Sequence, residues 1–310
     1  MGSQFDIPPK KDKPRALITG ITGFTGAYLA RELSESGYEV VGLSHEPDGS
    51  AYQSAIVDLC DREKLQETIQ ATAPDVVAHL AAIAFVAHGD VDAIYRTNVV
   101  GTRNLLEALS QLNQTPQSVL LVSSANIYGN ATIETISEDT TPAPANDYAV
   151  SKLAMEYAAK LWMDRLPITI VRPFNYTGVG QSPQFLVPKI VSHFRSGASE
   201  IELGNLDVAR DFSDVRRVAV AYQQLIEKRV SGEIFNVCSG RAHSLEEVIA
   251  MMETIAGRKI QVKVNPAFVR ENEVKKLVGD CSKLEQKIGK LPEIPFEDTL
   301  RWMYADGGPQ

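Results

Sequence analysis

The stretch Arg15-Ala-Leu-Ile-Thr-Gly20-Ile-Thr-Gly23-Phe-Thr-Gly26 decides the fold. Its first five residues read as a short buried strand, and three glycines follow at once. Gly20 permits a tight turn from strand to helix, Gly23 lets backbone approach a pyrophosphate, and Gly26 lets the helix pack close to the sheet. Gly20, Gly23, Phe24, Thr25 and Gly26 are therefore candidate cofactor contacts. The spacing is GxxGxxG rather than GxGxxG. A plain strand–turn–helix is the competing reading, and the alternation that follows argues against it.

Outward from that turn, Phe24 to Ser36 reads as a helix closed by Gly37, and strands follow at 38–43, 55–58, 75–80, 118–123 and 167–172. Between them, Asp61 caps a helix through Thr72. Val91 to Leu112 has helical periodicity, and Tyr148 to Arg165 reads as a further helix. Strands and helices alternating at this spacing predict an α/β fold: a Rossmann-type doubly wound parallel sheet with helices on both faces. After Pro173 the rhythm breaks. Residues 175–211 are richer in Gly, Pro and Ser. Then 215–228 reads as a helix, 233–238 as one more sheet strand, 245–256 as a helix capped by Ser244, and 260–264 as a strand outside the main sheet. The expected organisation is a tail at 1–14, a dinucleotide-binding domain at 15–175 with 213–238, and a smaller discontinuous substrate lobe at 176–212 with 239–310.

Composition narrows the function. Of 310 residues, 44% are hydrophobic and 23% charged, ordinary for a soluble enzyme. A formal charge of −8 disfavours a general nucleic-acid role, because phosphate backbones want a basic surface. No apolar run approaches the roughly 20 residues of a membrane span. Met1–Pro14 is polar and lacks the apolar stretch of a secretory signal. Cys60, Cys238 and Cys281 form no CxxC or Cys/His cluster, so they read as reduced thiols of a cytoplasmic protein without a metal site.

The chemistry concentrates at Tyr148-Ala-Val-Ser-Lys152. A Tyr and a Lys four apart share one helix face. The ammonium lowers the phenol pKa, so the Tyr can exchange a proton with a substrate oxygen near neutral pH. A YxxxK pair alone occurs by chance in many helices. Joined to a glycine-rich turn, it points to hydride chemistry on an alcohol or ketone. At the end of the second strand, where an acid would bond an NAD ribose, stand Ser44 and His45. Both can donate to a 2′-phosphate, so NADP(H) is favoured and NAD(H) remains open.

The glycine turn, Asp58-Leu59, His79-Leu-Ala-Ala, Asn98-Val-Val-Gly-Thr102, Ser123-Ser124 with Tyr128-Gly129, Tyr148 with Lys152, and Arg172-Pro-Phe-Asn175 together resemble the extended short-chain dehydrogenases/reductases acting on nucleotide-sugars. Residues 172–182, 204–215, Asn236-Val-Cys-Ser-Gly240 and Arg270-Glu-Asn-Glu-Val274 are most similar to its GDP-mannose branch. That branch holds 4,6-dehydratases and the reductases acting on their 4-keto-6-deoxy product. The resemblance implies that Ser124 steadies the sugar C4 oxygen, Tyr148 is the acid/base, and Lys152 binds the nicotinamide ribose. It implies adenine contacts at Asp58 and Leu59, and backbone approach to the cofactor at Leu80, Ala81 and Ala82. Asn175, Lys189, Arg210 and Arg270 become substrate contacts, mostly to a GDP diphosphate, which also suits guanidiniums and an ammonium in an acidic chain.

One departure discriminates within the branch. The dehydratases place a Glu two residues after the Ser/Thr, and here that position is Asn126. An amide has no titratable proton at working pH, so elimination should fail while reduction of a 4-ketone stays possible. The expected reaction is NADPH-dependent reduction of GDP-4-keto-6-deoxy-D-mannose to GDP-D-rhamnose, or to its C4 epimer GDP-6-deoxy-D-talose, in deoxysugar synthesis for cell-surface polysaccharide. Asn126 joins Ser124 as a candidate contact to the ketone. An NAD-dependent 4-epimerase, a dehydratase and a non-catalytic sugar-nucleotide sensor are the alternatives. The resemblance also implies a homodimer, with the 91–112 and 148–165 helices paired as a four-helix bundle.

Overall fold

The computed structural model describes residues 13–46, 51–84, 90–129, 133, 135–269 and 276–306. Arg270 and most of the expected tail lie outside these residues. The chain divides into two compact units. One takes the chain to Ile127 together with Pro144–Arg172 and Ala219–Phe235; the other takes Tyr128–Ala143, Pro173–Val218 and the chain from Asn236.

The first unit is built on β1 (Arg15–Thr19), β2 (Glu39–Ser44), β3 (Gln53–Ile56), β4 (Val76–His79), β5 (Ser118–Val122) and β6 (Ile168–Pro173). With β10 (Ile234–Val237) they form a seven-stranded sheet ordered β10-β6-β5-β4-β1-β2-β3. β1 pairs in parallel with β2 and β4, β2 with β3, and β5 with β4 and β6. This is the doubly wound order expected from the alternation, and its direction reverses between β1 and β4. Ligands of such sheets bind outside the carboxyl ends of the strands at that switch point. β1, β4 and β5 are buried along their whole lengths, as strands covered on both faces must be.

Helices α1 (Phe24–Glu35), α2 (Arg62–Thr72), α3 (Val91–Tyr95), α4 (Thr102–Ser110) and α5 (Asp147–Lys160) cover the sheet. Leu65 and Ile69 of α2, Leu105 and Leu109 of α4, and Met155 and Ala159 of α5 pack with Leu17, Val77, Val119 and Leu121 in one apolar core. The periodicity over 91–112 predicts one continuous helix. The structure instead inserts a π-helix, Arg96–Gly101, between α3 and α4. Two contacts accompany the wide turn. A Cβ on Gly101 would lie 2.9 Å from Leu59 Cβ, and Thr102 Oγ1 donates back to the Asn98 carbonyl at 2.7 Å. Such bulges redirect a side chain without ending the helix, and here the redirected one is Asn98.

The second unit has its own core. α6 (Leu186–Arg195), α8 (Leu245–Ala256) and α10 (Phe296–Ala305) bury Val187, Ile190, Phe194, Val248, Met252, Leu300 and Met303. Ser244 caps α8 in a reciprocal box with Glu247, as its place before the apolar run predicts. β9 (Ala209–Asp214) pairs with β7 (Asn175–Thr177), β11 (Ala242–Ser244) and β13 (Lys276–Leu277). β8 (Glu200–Leu203) pairs in parallel with β12 (Gln261–Val264), outside the main sheet as expected. Residues 175–211, which the sequence leaves without assigned elements, hold β7, α6, β8 and part of β9.

Two glycines should separate steric from conformational cost. A Cβ on Gly26 would sit 2.3 Å from the Gly20 carbonyl oxygen and 2.6 Å from that of Ile21. Thus Gly26 keeps α1 against its own entry turn. Gly37, at φ +91°, has nothing within 4 Å of a Cβ. Gly26→Ala should cost about 2–3 kcal/mol and distort the turn. Gly37→Ala should cost only about 1 kcal/mol. Denaturant unfolding of both variants checks this ordering.

Candidate active site

α5 is fixed at its start by several independent contacts. Asn146 accepts the Ala149 amide at 2.9 Å as the N-cap, and Asp147 in the first turn suits the positive helix end. Tyr95 of α3 donates its hydroxyl to Asp147 at 3.0 Å. Tyr148 lies in this first turn and is half-buried. One turn later Ser151 donates to the Tyr148 carbonyl at 2.7 Å. The next residue, Lys152, is 4% exposed and donates Nζ–H to the Val122 carbonyl at 2.8 Å. A further turn along, Glu156 takes a bidentate bond from Arg172 of β6, at 2.9 and 2.7 Å.

Beyond β5, Ser124 is 8% exposed and accepts the Asn126 amide at 3.2 Å. Among the described residues no acceptor takes its own proton. Asn126 is exposed, on the single 3-10 turn Ala125–Tyr128. Among the described residues the adjacent Ser123 hydroxyl, which is buried, has no hydrogen-bond partner.

At the switch point the chain forms a cradle. Gly20 has φ +72°, and a Cβ there would lie 2.9 Å from both N and Cα of Ala81. The turn after β1 and the segment after β4 therefore meet backbone to backbone, leaving no room for a side chain under a dinucleotide. Among the described residues no side chain caps α1, whose N-cap residue is Gly23. These features fit a nicotinamide dinucleotide, with its pyrophosphate at the start of α1.

A one-way chain of hydrogen bonds lies beneath the cradle. Thr102 gives its hydroxyl proton to the Asn98 carbonyl, so it accepts from His79 Nε2 at 2.8 Å. His79 Nδ1 then accepts from the Thr19 hydroxyl at 2.7 Å, and Thr19 Oγ1 accepts the Ala81 amide at 3.2 Å. This network assigns the Nε2–H tautomer. Burial, with Lys152 nearby, lowers the His79 pKa to about 3, so the ring is neutral. The Asn98 carboxamide accepts from the Ile83 amide at 2.9 Å and donates to its carbonyl at 3.2 Å and to Ser151 Oγ at 3.0 Å. The sequence marks His79 and Asn98 only as parts of matching motifs. Their partners are 15 to 60 residues away in the chain and leave no local signal.

The remaining candidates fall as follows. Leu80, Ala81 and Ala82 follow β4 at the cradle. Leu59 is buried, its carbonyl taking the Asn104 amide at 3.0 Å. Exposed Asp58 accepts the Cys60 amide at 2.8 Å. Ser44 is buried and its hydroxyl donates to the Glu46 carbonyl at 2.7 Å, so its proton is already committed. His45 is 79% exposed, with Nε2 at 3.6 Å from the Glu46 carboxylate. In the second unit, Asn175 lies on β7. Lys189 of α6 donates to the Glu202 carbonyl at 2.7 Å and sits 4.3 Å over the Phe268 ring. Arg210 of β9 pairs in register with His243 and Leu277. Among the described residues no acid/His/Cys cluster could hold a metal, and no helix is long and apolar enough to cross a membrane.

Burial lowers the Lys152 pKa from 10.5 to about 8, opposed by Glu156. The unfolded chain therefore binds the extra proton between about pH 8 and 10.5. Stability should rise with pH across that window, because the buried charge is a cost below it. Lys152→Met should remove this rise and stabilise the protein at neutral pH by about 1–3 kcal/mol. Denaturant unfolding of wild type and variant at neutral and alkaline pH reads both effects.

Comparison with known proteins places this arrangement. Residues 17–303 match the family model described as GDP-mannose 4,6 dehydratase. A Burkholderia cenocepacia protein, provisionally called an epimerase, has a crystal structure 53% identical in sequence. The match covers 94% of this chain and 97% of that one, with a TM-score of 0.90. The GDP-6-deoxy-D-talose 4-dehydrogenase of Aggregatibacter actinomycetemcomitans is 37% identical over 278 residues, 89% of this chain and 91% of that protein. The GDP-6-deoxy-D-mannose reductase of Pseudomonas aeruginosa is 31% identical over 303 residues, 94% and 96% respectively. A structure of RMD from that organism, complexed with NADPH, has a TM-score of 0.81 at 30% identity, covering 95% of this chain and 98% of that one. Both the sequence match and the sheet order lead to one conclusion: the chain belongs to the GDP-mannose 4,6-dehydratase family of extended short-chain dehydrogenases/reductases.

Proposed function

We propose that this protein is a 4-ketoreductase acting on GDP-4-keto-6-deoxy-D-mannose with NADPH. The observation that carries the reading is an amide at position 126, beside an intact Ser124, Tyr148 and Lys152. The two curated relatives described above, a 4-dehydrogenase and a reductase of GDP-6-deoxy sugars, support it.

Bound NADPH supplies the hydride that reduces C4. Ser124, whose hydroxyl proton has no taker among the described residues, donates to the ketone oxygen, and Asn126 assists. Tyr148 gives its phenolic proton to the alkoxide as charge develops there. Lys152, held by Val122, lowers the phenol pKa and binds the nicotinamide ribose. An amide at 126 cannot take the C5 proton or protonate the departing C6 hydroxyl, so the reaction stops at reduction. Asn175, Lys189, Arg210 and Arg270 bind the GDP moiety, the basic groups among them answering the diphosphate charge. Gly20, Gly23, Phe24, Thr25, Gly26, Asp58, Leu59 and 80–82 receive the dinucleotide. Ser44 reaches a 2′-phosphate only by releasing Glu46. The same machinery yields GDP-D-rhamnose or GDP-6-deoxy-D-talose according to the face presented. The higher identity to the talose enzyme favours the second product over the rhamnose expectation.

The test is loss of NADPH absorbance with that 4-keto sugar, NADH in parallel, and proton NMR of the product at C4. Turnover should fall by about 100-fold or more in Tyr148→Phe. No oxidation with either cofactor overturns the reading, and NAD retained through purification would favour a 4-epimerase.

The protein acts as a cytoplasmic homodimer in this reading. Val91 of α3, Val100 of the π-helix, and Val150 and Tyr157 of α5 are exposed apolar residues, with Leu161 just past α5 exposed by 81%. Apolar side chains on neighbouring helices are the raw material of a four-helix bundle. Tyr157→Glu with Leu161→Glu should give a monomer by light scattering, with the circular dichroism unchanged. A wild-type monomer at micromolar concentration would count against the bundle.

A further inference from the structure

Cys238 and Cys281 lie far apart in sequence, one directly after β10, the other directly before α9 (Ser282–Ile288). Both belong to the second unit, and each thiol is the largest single influence on the other's pKa. Their proximity is built by the backbone around them. Asp211, fully buried on β9, accepts the Ser239 amide at 2.8 Å, the Ser239 hydroxyl at 2.6 Å and the Gly240 amide at 2.8 Å. The same carboxylate accepts the Gly279 amide at 3.2 Å. One side chain thus holds the residue after Cys238 and the residue two before Cys281. Packing is equally close: a Cβ on Gly279 would lie 2.6 Å from Cys238 Sγ and 2.7 Å from the Phe174 ring.

The two sulfurs differ as an attacking and a resolving thiol differ. Cys238 is buried and Cys281 is partly exposed. Interaction with Cys281, together with burial, pushes the Cys238 thiol well up. Interaction with Cys238, helped by Arg217 and opposed by burial, Glu285 and Asp211, brings Cys281 down. Cys60 provides an internal contrast, since it is partly exposed as well but burial and Asp58 raise its pKa.

We propose that Cys238 and Cys281 form a redox pair that closes to a disulfide in response to a hydroperoxide. The Cys281 sulfur attacks one oxygen of hydrogen peroxide. The O–O bond breaks, water leaves, and Cys281 becomes a sulfenic acid. The Cys238 sulfur then attacks Cys281, the S–O bond breaks, and the hydroxyl departs as a second water with the Cys238 proton. Two thiols are oxidised to one disulfide while one peroxide is reduced to two waters. A dithiol reductant reverses the step by exchange.

The full-length protein, treated with equimolar hydrogen peroxide, alkylated with iodoacetamide under denaturing conditions and cut with trypsin, gives the test. Peptides 230–241 and 277–283 should appear cross-linked and two hydrogens lighter than their sum, with Cys60 alkylated. Dithiothreitol should restore three alkylatable thiols. In the reduced native protein Cys281 should alkylate about tenfold faster than Cys60. Cys281→Ser should leave Cys238 unmodified by the same dose, and Cys281→Ala repeats that result should the serine perturb α9. Overturning results are oxidation of Cys60 at the same rate, a Cys281 sulfinic acid beside an alkylatable Cys238, or no cross-linked peptide.

Discussion

The carboxamide of Asn98 is the constraint on which the first unit's chemistry depends. Its oxygen and nitrogen take both backbone groups of Ile83, in the segment following β4, and its nitrogen also reaches Ser151 on α5. The segment after β4 and the helix that carries Tyr148 and Lys152 are thereby held by one amide. Such a group can do this only because the π-helix turns it inward and because it is 1% exposed. In a site without competing water, each of its bonds is strong and its loss leaves buried partners unpaired.

The Glu156–Arg172 pair supports the same helix from the sheet side. Both side chains are almost completely buried, 1% and 5% exposed. A pair of this kind gives little net stability but strongly penalises any arrangement that separates its members. It fixes α5 against β6 one turn beyond Lys152. The ammonium therefore stays where desolvation lowers its pKa rather than escaping to solvent. In the proposed reduction this rigidity serves the chemistry, since Tyr148 acts there only if its proton is poised and its oxygen is placed.

Much of this was legible in the sequence. The Arg15–Gly26 stretch, the alternation after it and the Tyr148/Lys152 spacing are local patterns, and local patterns report strands, turns and helix faces directly. The doubly wound sheet and a strand at 260–264 outside it followed from them, while β8, its partner, did not. The π-helix did not, because the close packing beside it joins Gly101 to Leu59, 42 positions apart in sequence. The short strands β7, β11 and β13 were equally hidden: β7 and β11 have three residues each and β13 two, too few for a period to show. Ser44 illustrates a different limit. Its type and position suit a phosphate donor, yet a carbonyl two residues on takes the hydroxyl, a choice set by local backbone geometry that composition does not encode.

The series Thr19, His79, Thr102, Asn98 carries one further consequence. Every proton in it is already assigned to a neighbour, and all the donors point the same way. To pass a proton along it, His79 would have to be charged, and burial holds its pKa near 3. The series is therefore an electrical insulator laid under the crevice rather than a wire through it. In the proposed reduction, charge developing above the cradle does not drain through the floor of the sheet, and the proton given by Tyr148 is replaced from the open side.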